Sequence, residues 1–350
     1  MKSHESKIFS SLCLSSIGLY FKTNCDDDLS LYKNDKMFRS SKVFYPIDSI
    51  KLDHHNIGKY KSNWMLEYDY RTKNPKWVYE HLYSDDIFQN ADRKKSHFFS
   101  ETSILNENFR ISSKDYNDSG YDRGHMIPAN DFKLTQNAIN STFTMANICP
   151  QNSNLNKGLW SQLESWLKSL LKSRYHELII ISGPVFAPIY IQGKWIYYHK
   201  TCGYFPKLIT VPTHFFKVVL AKKNVKIDSD TSIEYISCSA FLLPNQDNEI
   251  KNNITSFENF IVKLVDLESI LGFTLLDNFL TPKVKADLDS YVPDSRNLTL
   301  VLSSDVDTNK KFVNKTGKKS SDDMSIPVDL VKTNSRINHL CINGGCDFKF

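Results

Sequence analysis

The chain has 350 residues and a mass of 40.4 kDa, enough for one large domain or two of ordinary size. Hydrophobic residues make up 41% and charged residues 24%, which excludes a wholly disordered chain and a multi-span membrane protein. Forty-four Lys and Arg against 39 Asp and Glu leave a net charge of +5, too small to mark a polyanion binder by itself.

In chain order, Ile8 to Phe21 is a mostly apolar run of 14 residues behind Lys2 and Lys7, short for a membrane span. It reads as a targeting or anchor segment, with residues 1–44 as leader and linker. A secretory and a mitochondrial leader both fit, although the absence of Arg from the run and the presence of Glu5 weigh against the second. From Tyr45 to Leu280 strand-like and helix-like stretches alternate without an internal repeat, the pattern of a mixed α/β or α+β domain. Strands are expected at Trp64–Tyr70, Trp77–Leu82, Leu178–Ser182 and Phe215–Ala221.

The strongest helix prediction lies between Asn156 and Lys172. Leu159, Trp160, Leu163, Trp166, Leu167, Leu170 and Leu171 fall in one stripe at about 100° per residue. Asn156 lies inside that stripe, so its amide needs a cap partner or a metal. Glu164 and Lys168 lie on the border, one turn apart and able to pair. The stretch from Lys157 to Lys226 holds ten Lys and one Arg against only Glu164 and Glu177, a local excess of nine positive charges. Asn259 to Leu271 also has helical periodicity. Residues 281–350 read as a C-terminal extension, of which 303–335, rich in Ser, Lys and Asp, have the composition of a flexible insert. The seven cysteines form no C-x-x-C pair, which indicates neither a zinc ribbon nor a disulfide scaffold. No G-x-S-x-G elbow supports a serine hydrolase, and nothing marks Cys149 as a nucleophile.

Chemistry concentrates in two blocks. Tyr121 to Phe132 reads YDRGHMIPANDF, with Asp122, Arg123, Gly124 and His125 at its centre. Twenty-two residues after His125 comes Asn147, in TMANICPQNSNLNKGLWSQLE, which also contains Asn156, Trp160 and Glu164. Phosphodiester hydrolysis needs an activated water, a cation and positive groups that hold the backbone. A histidine with an ordinary pKa near 6.5 is suited to the first task.

The two blocks resemble the D-R-G-H box and the S-N-x-x-P-Q-x-x-x-L-N-x-x-x-W-x-x-L-E block of the DNA/RNA non-specific endonuclease family. Ala146 stands where that family usually has Ser. The segments beginning at Tyr68, Ala91 and Val211 are similar to the mitochondrial endonuclease G branch specifically, the likeness covering residues 45–280, and the tail Cys341 to Phe350 resembles the C-terminal extension of the related mitochondrial exo/endonuclease. The resemblance implies an α+β, ββα-metal (His-Me finger) fold with a central, mostly antiparallel sheet flanked by helices. It also implies Mg²⁺-dependent cleavage of DNA and RNA, with Mn²⁺ as a substitute. His125 would be the general base, Asn156 the sole direct protein ligand of the metal, and Glu164 the acceptor for metal-bound water. Arg123 and Arg93 would hold phosphate, while Asn147 and Lys168 would serve the nucleic-acid site, Lys168 as a point charge where Arg is commoner. Asp122 would fix the loop or the arginine. A homodimer in mitochondria, with membrane association through the leader, completes these expectations, a secreted enzyme being the alternative. An inactive nucleic-acid-binding copy and a mainly exonucleolytic enzyme are the competing functions. Retention of His125, Asn156 and Glu164 together disfavours the first.

Overall fold

Aromatic and β-branched residues at alternate positions open the fold. The computed structural model describes residues 49–54, 60–87, 90–226, 232–246, 257–292 and 335–339. In it, β1 (Ser49–His54), β2 (Asn63–Asp69) and β3 (Asn74–Tyr83) form an antiparallel meander. The chain divides between residues 47 and 48, and every described residue lies in the second unit. β6 (Glu177–Val185), β11 (His214–Lys226), β12 (Ser232–Pro244) and β13 (Ile261–Val262) extend the sheet in the order β1-β2-β3-β6-β11-β12-β13, while β9 (Thr201–Cys202) and β10 (Ile209–Thr210) pair separately. All these pairs are antiparallel, while β14 (Ser335–His339) joins β12 in parallel. The expected α+β architecture with a mostly antiparallel sheet is therefore present.

The sheet is longer than hydrophobic alternation predicts. β11 runs on from Ala221 to Lys226 because β12 offers a backbone partner at each position as far as Ser232. Ladder hydrogen bonds thus hold a polar stretch that no apolar face would mark. Along the central strands, period two divides the side chains between two cores. Leu66, Val78, Ile180, Phe215, Val219 and Phe241 pack on one face, and Ile179, Phe216, Val218, Leu220 and Leu242 on the other.

The predicted helix from Asn156 to Lys172 is interrupted. A helical turn at Ser153–Leu155 leads into a π-helical segment, Asn156–Trp160, which is broken at Gly158 (φ −101°, ψ −111°). Only then does a regular helix run, Ser161–Ser173. Side-chain periodicity cannot register such a break, since it changes the backbone phase and leaves the residue types in place. The helix buries Leu163, Trp166, Leu167, Leu170 and Leu171 against the first core.

The predicted helix over Asn259 to Leu271 is also divided. Phe257–Phe260 is a 3-10 turn and Ile261–Val262 is β13, paired with Ala240 and Phe241; helix begins only at Leu264 and ends at Leu271. Two β-branched residues beside an open strand edge pair with it more readily than they continue a helix. Asp289 caps the new start, accepting hydrogen bonds from the amides of Leu264 (2.6 Å) and Val265 (3.0 Å). Asp289 ends a helix, Pro282–Asp289, whose Leu288 enters the second core. The packed structure therefore continues past residue 280.

The Ile8 to Phe21 run, residues 303–334 and the tail from 340 lie outside the described residues. Among the described residues no helix is long and apolar enough to cross a membrane.

Candidate active site

Both motif blocks fall in one small unit beside the sheet. β4 (Asp122–His125) and β5 (Ile148–Gln151) form an antiparallel ribbon, with Asp122 opposite Gln151, Gly124 opposite Cys149 and His125 opposite Ile148. β5 then feeds the helical turn, the π segment and the Ser161–Ser173 helix. Trp160 Nε1 donates to the His125 carbonyl at 3.3 Å, tying the helix back to β4. The Asn152 side chain caps the turn, and the Asn152 backbone amide donates to Asn245 Oδ1 at 2.7 Å. Asn245 Nδ2 in turn donates to the carbonyls of Pro150 and Pro212 at 3.0 and 2.9 Å. Asn245, ninety-odd residues away in sequence, carried no motif signal, yet it locks the helix entry to the main sheet.

The motif glycine has a packing reason. A Cβ built on Gly124 would lie 2.2 Å from Gln151 Oε1 and 2.6 Å from Gln151 Cβ. Gln151 is fully buried, and its Cβ is fixed to the partner strand, so no rotamer change relieves the contact. Gly124→Ala is expected to lower stability by ~1–3 kcal/mol, as overpacking does. Gln151→Gly in the same chain should recover much of it, and equal melting temperatures for wild type and Gly124→Ala would refute the steric account.

Asn156 has a partner that the helical pattern could not reveal. Its Nδ2 donates to Asp122 Oδ2 at 2.9 Å, and Lys157 Nζ lies 3.4 Å from the same oxygen. Burial pushes the Asp122 carboxyl up, but hydrogen bonds from Asn156 and Ser153 and the Lys157 charge outweigh it and hold the group below its usual range. Asp122 therefore stays charged and orients the Asn156 amide. With the nitrogen engaged, Asn156 Oδ1 is the atom left to accept or to ligate. Among the described residues no three His, Cys, Asp or Glu side chains are grouped to hold a metal. A thin site with one amide oxygen and several waters is the kind Mg²⁺ tolerates.

His125 sits between two phenylalanine rings, 5.4 Å from Phe98 and 4.8 Å from Phe143, measured between centroids. Its Nε2 is sealed from solvent without a hydrogen-bond partner. Burial, and then the positive charge of Arg93, lower the imidazole pKa to about 3, so the ring is neutral at physiological pH. The guanidinium of Arg123 lies 4.9 Å from the Phe98 centroid and that of Arg93 6.0 Å from the Phe143 centroid. Both arginines are exposed. The structure thus brings His125, Arg123 and Arg93 together.

Glu164 is half-buried, and burial, partly opposed by Lys217, raises its carboxyl pKa to about 8. The alternative reading of Glu164 as a surface partner of Lys168 is not the one seen. Lys168 Nζ instead reaches the mostly buried Asp131 carboxylate, 3.1 Å from Oδ1, and the Asn130 carbonyl. Asn147 departs further from expectation. It is fully buried, accepts from the Ile127 amide at 2.9 Å and donates to the carbonyls of Ile127 (3.1 Å) and Thr142 (2.9 Å). It clamps the loop after β4 to the chain before β5 and presents nothing to a nucleic acid.

The basic stretch is likewise not one surface. Lys217 is buried, donating to Ser182 Oγ at 2.7 Å with its ammonium 4.6 Å from the Trp160 ring. Lys222 pairs with Glu177 at 2.8 Å. Glu80 is buried on β3, facing the field of Lys217, and burial raises its carboxyl well above the usual range.

A two-stranded antiparallel ribbon running into a helix, with a histidine on the first strand and an asparagine at the helix entry, defines the ββα-metal class of nucleases. Residues 47–281 match the family model described as DNA/RNA non-specific endonuclease, and the chain belongs to that family, as an endonuclease of its endonuclease G-like branch. It is 36% identical over 248 residues to the mitochondrial nuclease of Saccharomyces cerevisiae, covering 68% of this chain and 73% of the relative. To the mitochondrial nuclease EXOG of Homo sapiens it is 34% identical over 212 residues, 60% of this chain and 54% of that one. The crystal structure of an EndoG/EndoGI complex aligns with a TM-score of 0.55 at 29% identity, covering 65% of this chain and 87% of that chain.

Proposed function

We propose that this endonuclease hydrolyses the phosphodiester bonds of DNA and RNA with Mg²⁺ held by Asn156, Mn²⁺ serving as a substitute. The observation that carries the reading is the Asn156 amide: its nitrogen is committed to Asp122 and its oxygen is left to ligate. When bound, the cation supplies the charge that stabilises the phosphorane and the leaving oxygen.

The neutral imidazole of His125 takes a proton from the attacking water. Its sealed Nε2 leaves Nδ1 as the nitrogen that exchanges protons with the site. With a dication held by Asn156, Glu164 would accept a hydrogen bond from water beside it, and the added positive charge would favour its carboxylate form. Arg123 and Arg93, exposed and resting on aromatic rings, hold the phosphate with forked donors. Such contacts carry position without base identity, which accounts for low sequence specificity. Lys168 is balanced by its pairing with Asp131 and stands outside the phosphate contacts.

The test uses the full chain with supercoiled plasmid and with RNA, in Mg²⁺, in Mn²⁺ and in chelator. Cleavage of both substrates with either metal and none in chelator is expected. Intact substrates under every divalent cation tried would refute the reading.

The relatives named mitochondrial support residence in mitochondria. A homodimer is supported by the hairpin of β7 (Ile189–Ile191) and β8 (Lys194–Ile196) and the loop after it. There Tyr190, Trp195, Tyr197, Tyr198, Tyr204 and Phe205 are exposed in one stretch, an apolar concentration that a monomer rarely leaves in water. Light scattering should give twice the chain mass for wild type and a monomer for Trp195→Lys with Tyr198→Glu. A wild-type monomer at micromolar concentration would exclude the dimer.

A further inference from the structure

Phe98 touches both the histidine and the first arginine of the site. Its ring packs against His125 with centroids 5.4 Å apart, and the Arg123 guanidinium lies 4.9 Å from the same ring. Phe143 has the matching position toward Arg93, at 6.0 Å, and the two phenylalanine rings meet each other at 5.2 Å. Neither phenylalanine belongs to the D-R-G-H box or to the asparagine block.

The backbone holds Phe98 firmly. The next residue, Phe99, donates its amide to the Phe143 carbonyl at 3.2 Å and accepts from the Met145 amide at 2.8 Å. The Phe98 segment is thereby tied to the chain that enters β5, the partner strand of β4. Arg123 is exposed, and a free arginine side chain has many rotamers to lose when it grips a phosphate. A guanidinium resting on an aromatic face has already lost part of that freedom.

We propose that Phe98 is a positioning residue for the cleavage reaction: its ring sets Arg123 and His125 in fixed relation, so that the phosphate is delivered to the base. This rests on the roles given above to His125 and Arg123. An aromatic ring is required, because an aliphatic side chain of similar volume fills the space without attracting the cation. Phe143 serves Arg93 from the longer distance and so contributes less.

A double-mutant cycle tests it. Phe98→Leu is expected to lower kcat/KM on a short duplex by about 3- to 10-fold, and Phe98→Tyr, which keeps the π face, to stay within about 2-fold of wild type. In an Arg123→Ala background the Phe98→Leu loss should shrink toward unity, since the ring then has no guanidinium to order. Binding of the duplex in chelator should show the same non-additivity without any cleavage. Full activity in a folded Phe98→Leu protein, or an equal loss with and without Arg123, would overturn the proposal. If Phe98→Leu does not fold, Phe98→Met replaces it in the cycle, and failure of Phe98→Tyr to keep activity at unchanged melting temperature overturns it equally. Wild type that cuts while the cycle is additive refutes Phe98 alone. Wild type that never cuts refutes the cleavage reading, and the binding cycle still decides Phe98.

Discussion

His125→Ala is expected to reduce turnover on plasmid and RNA by about 10²- to 10⁴-fold, the usual worth of a positioned general base, with a much smaller change in KM. The loss should appear in kcat because the imidazole acts on the attacking water and makes no contact that holds the substrate before reaction. The folded histidine is neutral down to about pH 3, below its unfolded value, so its contribution to stability is present above pH 6.5 and fades as the pH falls toward 3. His125→Ala should therefore flatten the acid side of the stability profile as well as silence the enzyme. Asn156→Ala should be as damaging and should also leave Asp122 without its amide donor. Isothermal titration with Mg²⁺ separates the two variants: His125→Ala retains the wild-type heat and Asn156→Ala loses it. Turnover that persists undiminished in His125→Ala would overturn the assignment of the base.

The second large effect is on stability. Asn147→Ala removes a fully buried amide that satisfies the amide and carbonyl of Ile127 and the carbonyl of Thr142. A buried polar group left unpaired costs about 1–3 kcal/mol, so three of them predict a loss of at least ~3 kcal/mol in chemical denaturation. Activity should fall with the folded fraction, and activity per folded molecule should hold up better than in His125→Ala. A variant that unfolds like wild type but binds duplex poorly would restore Asn147 to the nucleic-acid surface.

Asn147 also shows where sequence reading stops. Its place in the asparagine block was plain, but a motif records that a residue type recurs at a spacing and is silent on whether the side chain faces ligand or backbone. Lys168 and Glu164, one helical turn apart, were sound candidates for a pair; Asp131, distant in sequence, took the lysine. The interruption at Gly158 escaped the helical pattern because the flanking apolar residues still project toward the core. Phe143 and Asn245 carry no local signal and Phe98 only its place at the end of the segment beginning at Ala91, since their roles arise from contacts across tens of residues.

What the sequence determined by itself was the chemistry and its class: the D-R-G-H string, the asparagine block at its distance, and alternation strong enough to predict the central strands. These are local, written in residue type and spacing. The tertiary structure decided which of those residues are free to act. It committed the Asn156 nitrogen to Asp122, enclosed His125 between two rings, where burial and the Arg93 charge lower its pKa to about 3, buried Lys217 out of the basic stretch and turned Asn147 inward. Those outcomes depend on burial and on partners far along the chain, and both exist only once the sheet and the ββα unit have packed together.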